Sequence, residues 1–366
     1  MQKPQLKRVL LGSALALGFT LAAWQTIEAC TRVVYIGTDG IVITGRSMDW
    51  VEDMSSNLWA FPRGIKRDGA AGPNSASWVA KYGSVIVSGY EAGTTDGMNE
   101  AGLVANLLYL AESDYGKPDP ARPVISISTW AQYALDNFAT VAEAVDALAK
   151  EPFTVIAPKL PNGDPAQLHL SLSDSSGDSA VFEYLGGKLI IHHGKQYTVM
   201  TNSPRFEEQL ALNRYWEDVG GNVFLPGTSR AADRFARATF LINAVPTRID
   251  PHYIKAVPDE SYANQAAASV ISVMRAVSVP LGVETTGEPN VASTLWRIAA
   301  DQRDKVYFFD SATSPNVFWV PLADLDLKEG AVIKKLTVAG GRVFAGNAAD
   351  KFVPAQPFKF LPAKVE

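Results

Sequence analysis

Strand patterning in this chain comes in consecutive runs, and that ordering constrains the fold more than any single motif. Thr31 to Ile36 is β-rich, Thr38-Asp39-Gly40 reads as a turn, and Ile41 to Trp50 returns as a second strand. Trp78 to Gly89 continues the strand signal. Asp96 to Tyr109 extends it, with Gly97 and Gly102 as punctuation and an apolar end from Leu103 to Leu110. Residues 112–123 are proline-rich and read as a loop. Helical spacing then takes over. Ala131, Leu135 and Phe138 share one face, and Thr140 with Glu143 forms a capping box ahead of Val141, Val145 and Leu148. A second strand run covers Leu168 to Leu172, Ala180 to Tyr184, Leu189 to His192 and Tyr197 to Met200, and reads as one antiparallel meander. Helices are predicted over Ala231 to Ile242 and Asn264 to Arg275, and late strands over Ser293 to Ala300, Lys305 to Phe309 and Val317 to Val320. A doubly wound parallel sheet requires strand and helix to alternate. Strand runs separated by helix pairs predict instead antiparallel sheets packed with helix layers, an α+β arrangement.

Composition narrows the function. Hydrophobic residues at 47% supply a substantial core, and a formal net charge of -5 without a basic run argues against a nucleic-acid partner. The single cysteine, Cys30, excludes an intramolecular disulfide, and four histidines without paired cysteines give no zinc set of the usual kind. His192 and His193 are adjacent on a strand, point to opposite faces and cannot easily share a metal. The chain has no G-x-G-x-x-G, P-loop, H-E-x-x-H, C-x-x-C, G-x-S-x-G or S-x-x-K. Dinucleotide, phosphoryl-transfer and serine-hydrolase chemistry therefore lose their usual support. No metal and no cofactor is expected.

The first residues have the three parts of a secretory leader: Lys3, Lys7 and Arg8, an apolar run from Val9 to Ala23, and a more polar stretch to Ala29. The run is short for spanning a bilayer, so residues 1–29 are expected to be removed, with the mature chain periplasmic or secreted and without a stable membrane span. Ala29 suits the cut, whereas Ile27 and Glu28 are less typical of it. Cleavage there makes Cys30 the new N-terminus. From position alone three readings of Cys30 stay open: a catalytic thiol, a lipidated anchor, and a free cysteine without a role. Arg46 and Asp49 sit on the strand that returns beside Cys30. On an ideal strand they face opposite ways, so acting together would need a local bend; the other reading is a surface ion pair.

The segments Cys30-Thr31-Arg32, Gly45 to Trp50, Asp96 to Leu103, Met200 to Pro204, and Leu225-Pro226-Gly227 followed by Asp233-Arg234-Phe235 appear in a fixed order. This set resembles the choloylglycine hydrolase family, which contains penicillin V acylases and conjugated bile salt hydrolases. The resemblance implies an N-terminal nucleophile hydrolase, a four-layer αββα sandwich of two antiparallel sheets, with one catalytic domain over residues 30–366. It implies Cys30 as nucleophile and Arg46, Asp49, Asn202 and Arg234 as the other catalytic positions, with Trp50 and Tyr109 as substrate-binding residues. The family's chemistry suits these residue types. The α-amine of Cys30 takes the thiol proton, Arg46 favours the thiolate, Asp49 holds the amine, the Asn202 amide faces the oxyanion and Arg234 orders the network. The partner implied is a small amide, penicillin V or an N-acyl homoserine lactone, cleaved through a thioester, with conjugated bile salts as the alternative and a homotetramer as the assembly. A lipidated, non-catalytic binding protein of the envelope is the competing reading from another class. Intact mass of the mature protein separates the two: the enzyme reading expects a chain starting at Cys30 with a free amine, and a diacylated cysteine would establish the anchor.

Overall fold

The Thr38-Asp39-Gly40 turn folds as its residues dictate. Asp39 and Gly40 take positive φ of 56° and 71°, the conformation whose twist matches that of two flanking antiparallel strands. In the computed structural model, which describes residues 30–283 and 292–364, that turn joins β1 (Thr31–Ile36) to β2 (Val42–Trp50). The leader read over residues 1–29 lies outside the described residues. The chain next builds a second sheet with β3 (Leu58–Phe61), β4 (Ser84–Gly89), β5 (Gly93–Asn99) and β6 (Val104–Tyr109). After α1 (Trp130–Asn137) and α2 (Val141–Leu148), the meander β7 (Leu168–Ser173), β8 (Ser179–Leu185) and β9 (Lys188–His193) extends that sheet. The chain returns to the first sheet as β10 (Val199–Met200), forms α3 (Phe206–Val219), α4 (Ala231–Ala244) and α5 (Tyr262–Ala276), and adds β11 (Ser293–Asp301), β12 (Val306–Ser311) and β13 (Val317–Pro321). Short β14 (Lys334–Leu336), β15 (Gly346–Asn347) and β16 (Val353–Pro354) finish the edges.

The first sheet has the order β10-β1-β2-β11-β12-β13-β15, and the second β9-β8-β7-β6-β5-β4-β3-β14-β16. Every pair in them is antiparallel except the short β13–β15 contact. Helices α4 and α5 cover the outer face of the first sheet, with α3 against α4, while α1 and α2 cover the second. The result is the four-layer αββα sandwich. Among the described residues no helix is long and apolar enough to cross a membrane. The layer between the sheets is not purely apolar. Thr44 Oγ1 on β2 meets Ser173 Oγ on β7 at 2.6 Å and donates to Gln302 at 2.8 Å.

Four local readings change. The strand signal over Trp78 to Gly89 breaks at residues 80–83: Ser77–Val79 pairs with Lys66–Asp68 in a separate two-stranded ribbon, and only Ser84–Gly89 joins the second sheet. The strand read at Tyr197 to Met200 is not the fourth of the meander. It shrinks to β10, which pairs Met200 with Arg32 and Val199 with Val33, and so belongs to the other sheet. Apolar alternation identifies a strand without naming its partner. Helix α3 has no counterpart in the sequence reading because its apolar stripe is missing: Leu212 and Tyr215 are exposed, and its buried residues are Phe206, Gln209 and Asn213. Gly97 is not punctuation but lies inside β5, where α1 presses on the sheet. A Cβ there would meet Ile86 Cγ2 at 2.7 Å, the Val85 carbonyl at 2.8 Å and Leu135 Cδ1 of α1 at 2.9 Å. Because one of those neighbours is backbone, Gly97→Ala should destabilise the fold by about 1–3 kcal/mol. Thermal unfolding reads this as a lower Tm, and an unchanged Tm would contradict the close approach.

Candidate active site

The register of three strands decides what surrounds Cys30. On β2, Thr31 pairs with Ser47 and Arg32 with Arg46, so one step further sets Cys30 opposite Met48. On the other side Arg32 pairs with Met200, so continuing that register brings Asn202 level with Cys30. Cys30 is thus held at the end of a central strand, between β2 and the segment that follows β10, and it is buried.

Its nitrogen and its sulfur face different groups. Cys30 N donates to Asn202 Oδ1 at 2.5 Å. In the full chain this nitrogen belongs to the Ala29–Cys30 peptide, and it marks where the α-amine stands once residues 1–29 are removed. Arg234, on α4, closes the same group. Its Nη2 donates to Asn202 Oδ1 at 2.9 Å, and its Nη1 donates to the Cys30 carbonyl and to Thr31 Oγ1, each at 2.5 Å. Asn202 Nδ2 donates to the Tyr109 carbonyl at 2.8 Å. The thiol lies 3.7 Å from Arg46 Nη2, 3.7 Å from the Asp49 carbonyl and 3.9 Å from Met48 Sδ. Burial pushes the Cys30 thiol above its ordinary range; Arg46 pulls it down, and the Asp49 carboxyl adds to the rise.

Arg46 and Asp49 keep to opposite faces of β2 and flank Cys30 from two sides. Arg46 points between the sheets, where Nη2 donates to the Leu107 carbonyl at 2.8 Å, Nη1 lies 3.8 Å from Asp96 Oδ2 and the guanidinium stands 4.7 Å from the Trp296 ring. Asp49 points to the helix side, where Thr294 Oγ1 donates to it at 2.5 Å and Ser47 Oγ at 3.4 Å. The irregularity lies in the neighbouring strand: Thr294 pairs with Asp49 and Trp296 with Met48, so Leu295 bulges from β11 beside the site. Asp49 is therefore fixed by hydroxyls, while the hydrogen bond to Cys30 N comes from Asn202. Burial raises the Asp49 carboxyl to about 6, against the opposing pull of Arg234 and of the Thr294 hydrogen bond.

A cleft opens on the thiol, with Cys30, Arg46 and Met48 among its walls and Trp50, Met54, Tyr109 and Leu160 supplying apolar surface. Trp50 and Tyr109 meet edge to face with ring centroids 6.2 Å apart. The Trp50 indole donates to Tyr90 Oη at 2.7 Å, which donates to Glu52 at 2.6 Å. Tyr109 Oη donates to Gln167 at 3.1 Å. Leu108, the neighbour of Tyr109, is buried in the core. All seven residues singled out in the sequence thus meet at one place. Thr294, Asp96, Trp296 and Tyr90 had been given no role there. Thr294 and Trp296 lie in the late strand read over Ser293 to Ala300, and Asp96 in the segment Asp96 to Leu103. Among the described residues no group of three His, Cys, Asp or Glu is placed to hold a metal ion.

Two antiparallel sheets between helix layers are the fold of the N-terminal nucleophile hydrolases, and here a buried cysteine stands at the head of a central strand beside an apolar cleft. Residues 30–335 match the linear amide C–N hydrolases of the choloylglycine hydrolase family, and the chain belongs to that family. It is 48% identical over 365 residues to the penicillin V acylase of Pectobacterium atrosepticum, covering 96% of this chain and 94% of that one. The structure of penicillin V acylase from Agrobacterium tumefaciens superposes with a TM-score of 0.82 at 53% identity, over 91% of this chain and 100% of that one. A variant of conjugated bile acid hydrolase from Clostridium perfringens shares the fold, with a TM-score of 0.69 at 22% identity over 86% of this chain and 99% of that one.

The raised Asp49 carboxyl has a measurable consequence. An exposed carboxyl releases its proton near pH ~4, whereas the buried Asp49 holds its proton to about 6. Folding takes up a proton in that window, so the stability owed to this group is present below it and falls as pH rises through it. Asp49→Asn should therefore gain stability relative to the wild type as pH rises from ~4 to ~6. Tm of both proteins across that range tests this, and a pH-independent difference would show that the two states release the proton alike.

Proposed function

We propose that removal of residues 1–29 frees the Cys30 amine and that the mature enzyme cleaves linear amides carrying an apolar acyl group, with penicillin V and N-acyl homoserine lactones as substrates. The observation that carries this reading is the split environment of Cys30: its sulfur lines an apolar cleft, while its nitrogen is held apart by Asn202. The penicillin V acylases at 48% and 53% identity support the choice of acyl group. The leader pattern supports export to the periplasm or beyond. A homotetramer rests on the family resemblance alone.

In this mechanism the amine takes the thiol proton and the thiolate attacks the amide carbonyl. Arg46, 3.7 Å from the sulfur, favours the charged form. Asn202 Nδ2 carries a second hydrogen besides the one given to Tyr109, and that hydrogen stabilises the oxyanion. The protonated amine returns its proton to the departing amine, leaving a thioester. Water gives up a proton to the same amine and releases the acid, restoring the thiol. Asp49 and Arg234 keep the Cys30 end oriented, and Trp50 and Tyr109 wall the acyl group.

Cys30→Ala should lower turnover by more than about a thousandfold with unchanged circular dichroism. The wild type, assayed on penicillin V, penicillin G, acyl homoserine lactones of varied length and glycine-conjugated bile salts, should favour penicillin V over penicillin G and the bile salts and cleave long-chain lactones. Substantial turnover by the alanine variant would sink the nucleophile assignment, and a panel dominated by bile salts would move the chain to the other branch of its family.

A further inference from the structure

The reach of Asn202 to Cys30 depends on a segment that the sheet does not hold. The β1–β10 ladder ends at Met200, and α3 begins at Phe206. Residues 201–205 form the loop between them, and the side chain bonded to Cys30 N hangs from it. Both ends of this loop are tied to one buried pair on the second sheet. His169, on β7, approaches the Thr201 carbonyl with Nε2 at 2.9 Å and Glu183 Oε1 with Nδ1 at 3.1 Å. Glu183, on β8, accepts the Phe206 N–H at 3.0 Å on Oε1 and 3.2 Å on Oε2. Both side chains are about 1% exposed.

The hydrogen accounting fixes the direction of the bond to Thr201. A carbonyl can only accept, so His169 Nε2 carries a hydrogen, and one more lies between Nδ1 and Glu183. The Thr201 carbonyl belongs to the same peptide plane as the Asn202 N–H. Holding that carbonyl sets the plane from which Asn202 projects. On the other side of the loop, Thr201 Oγ1 donates to the Ala231 carbonyl of α4 at 3.1 Å.

We propose that His169 and Glu183 are positioning residues for the reaction: together they clamp the two ends of the 201–205 loop and thereby hold Asn202 against the Cys30 nitrogen. Neither lines the cleft, so their effect falls on the reacting end and not on binding of the acyl group. This rests on the reading of Cys30 as nucleophile. In the strand read over Leu168 to Leu172, His169 is a polar position between two leucines.

The test compares three variants of the mature enzyme on penicillin V, with active sites counted by stoichiometric thiol alkylation. His169→Gln can keep a donor near the Nε2 position toward the Thr201 carbonyl. His169→Asn keeps one only near the Nδ1 position, and His169→Ala keeps neither. His169→Asn and His169→Ala should lose at least ~10-fold in kcat, with KM within about threefold of the wild type, and His169→Gln should recover most of the loss. If His169→Ala does not fold, the Gln and Asn pair still decides. Wild-type kcat in the folded variants with only Tm lowered would show that the pair merely fills the core and would overturn the proposal. So would equal losses in Gln and Asn. A wild type that ignores penicillin V but cleaves a bile salt would move the same comparison to that substrate, and only the substrate reading would fall.

Discussion

Three arginines, Arg32 on β1, Arg46 on β2 and Arg234 on α4, are completely buried, and accommodating them governs the rest of the site. A guanidinium removed from water costs several kcal/mol unless its hydrogens find acceptors. Here most of the acceptors are main-chain carbonyls from other elements. Arg46 reaches the Leu107 carbonyl on β6, Arg32 reaches those of Leu172 and Tyr197, and Arg234 takes those of Cys30 and Ser229. Among the described residues no carboxylate pairs with Arg32, and burial lowers it to about 9. These bonds run between the two sheets and from α4 to β1, so the sheets must sit in one fixed relation for the charges to be tolerated. Two polar groups lie between the sheets, one of Gln302, Thr44 and Ser173 and one of Tyr307, Asp96, Asn106 and Ser171.

Strand geometry also separates the two chemical ends of Cys30. Its nitrogen lies at the β10 edge, among Asn202 and Arg234, while its sulfur turns toward Arg46, Met48 and the cleft. A nucleophile and its proposed base can then share one residue without competing for the same partners. Burial disfavours the thiolate, and Arg46 offsets part of that effect. Asp49, raised to about 6, contributes less negative charge near the thiol below that pH than an exposed carboxylate would.

The cleft wall stores backbone strain. Tyr90 and Glu91 both take positive φ, 55° and 50°, a conformation that costs of order 1–3 kcal/mol for such residues. The Glu91 carboxylate holds the turn through Asn57, Trp59, Ser88 and Lys335. The strained turn presents Tyr90 to Trp50, so a side chain outside the seven singled out in the sequence shapes the pocket.

The sequence by itself determined the hairpin that carries Cys30, the two helix blocks, most strand positions and the ordered segments that mark the family. Those features are local: the period of burial and the turn residues are written within a few positions of one another. Partner choice is not local. That β10 would leave the meander and lie beside β1 depends on burying Val199 and Met200 under α4 and on acceptors for Arg32, contacts made across 165 positions between Arg32 and Tyr197 and 172 between Cys30 and Asn202. The faces taken by Arg46 and Asp49, the raised Asp49 carboxyl and the clamp of His169 and Glu183 arise only when both sheets close on each other, because charge and burial at a point are set by everything packed around it.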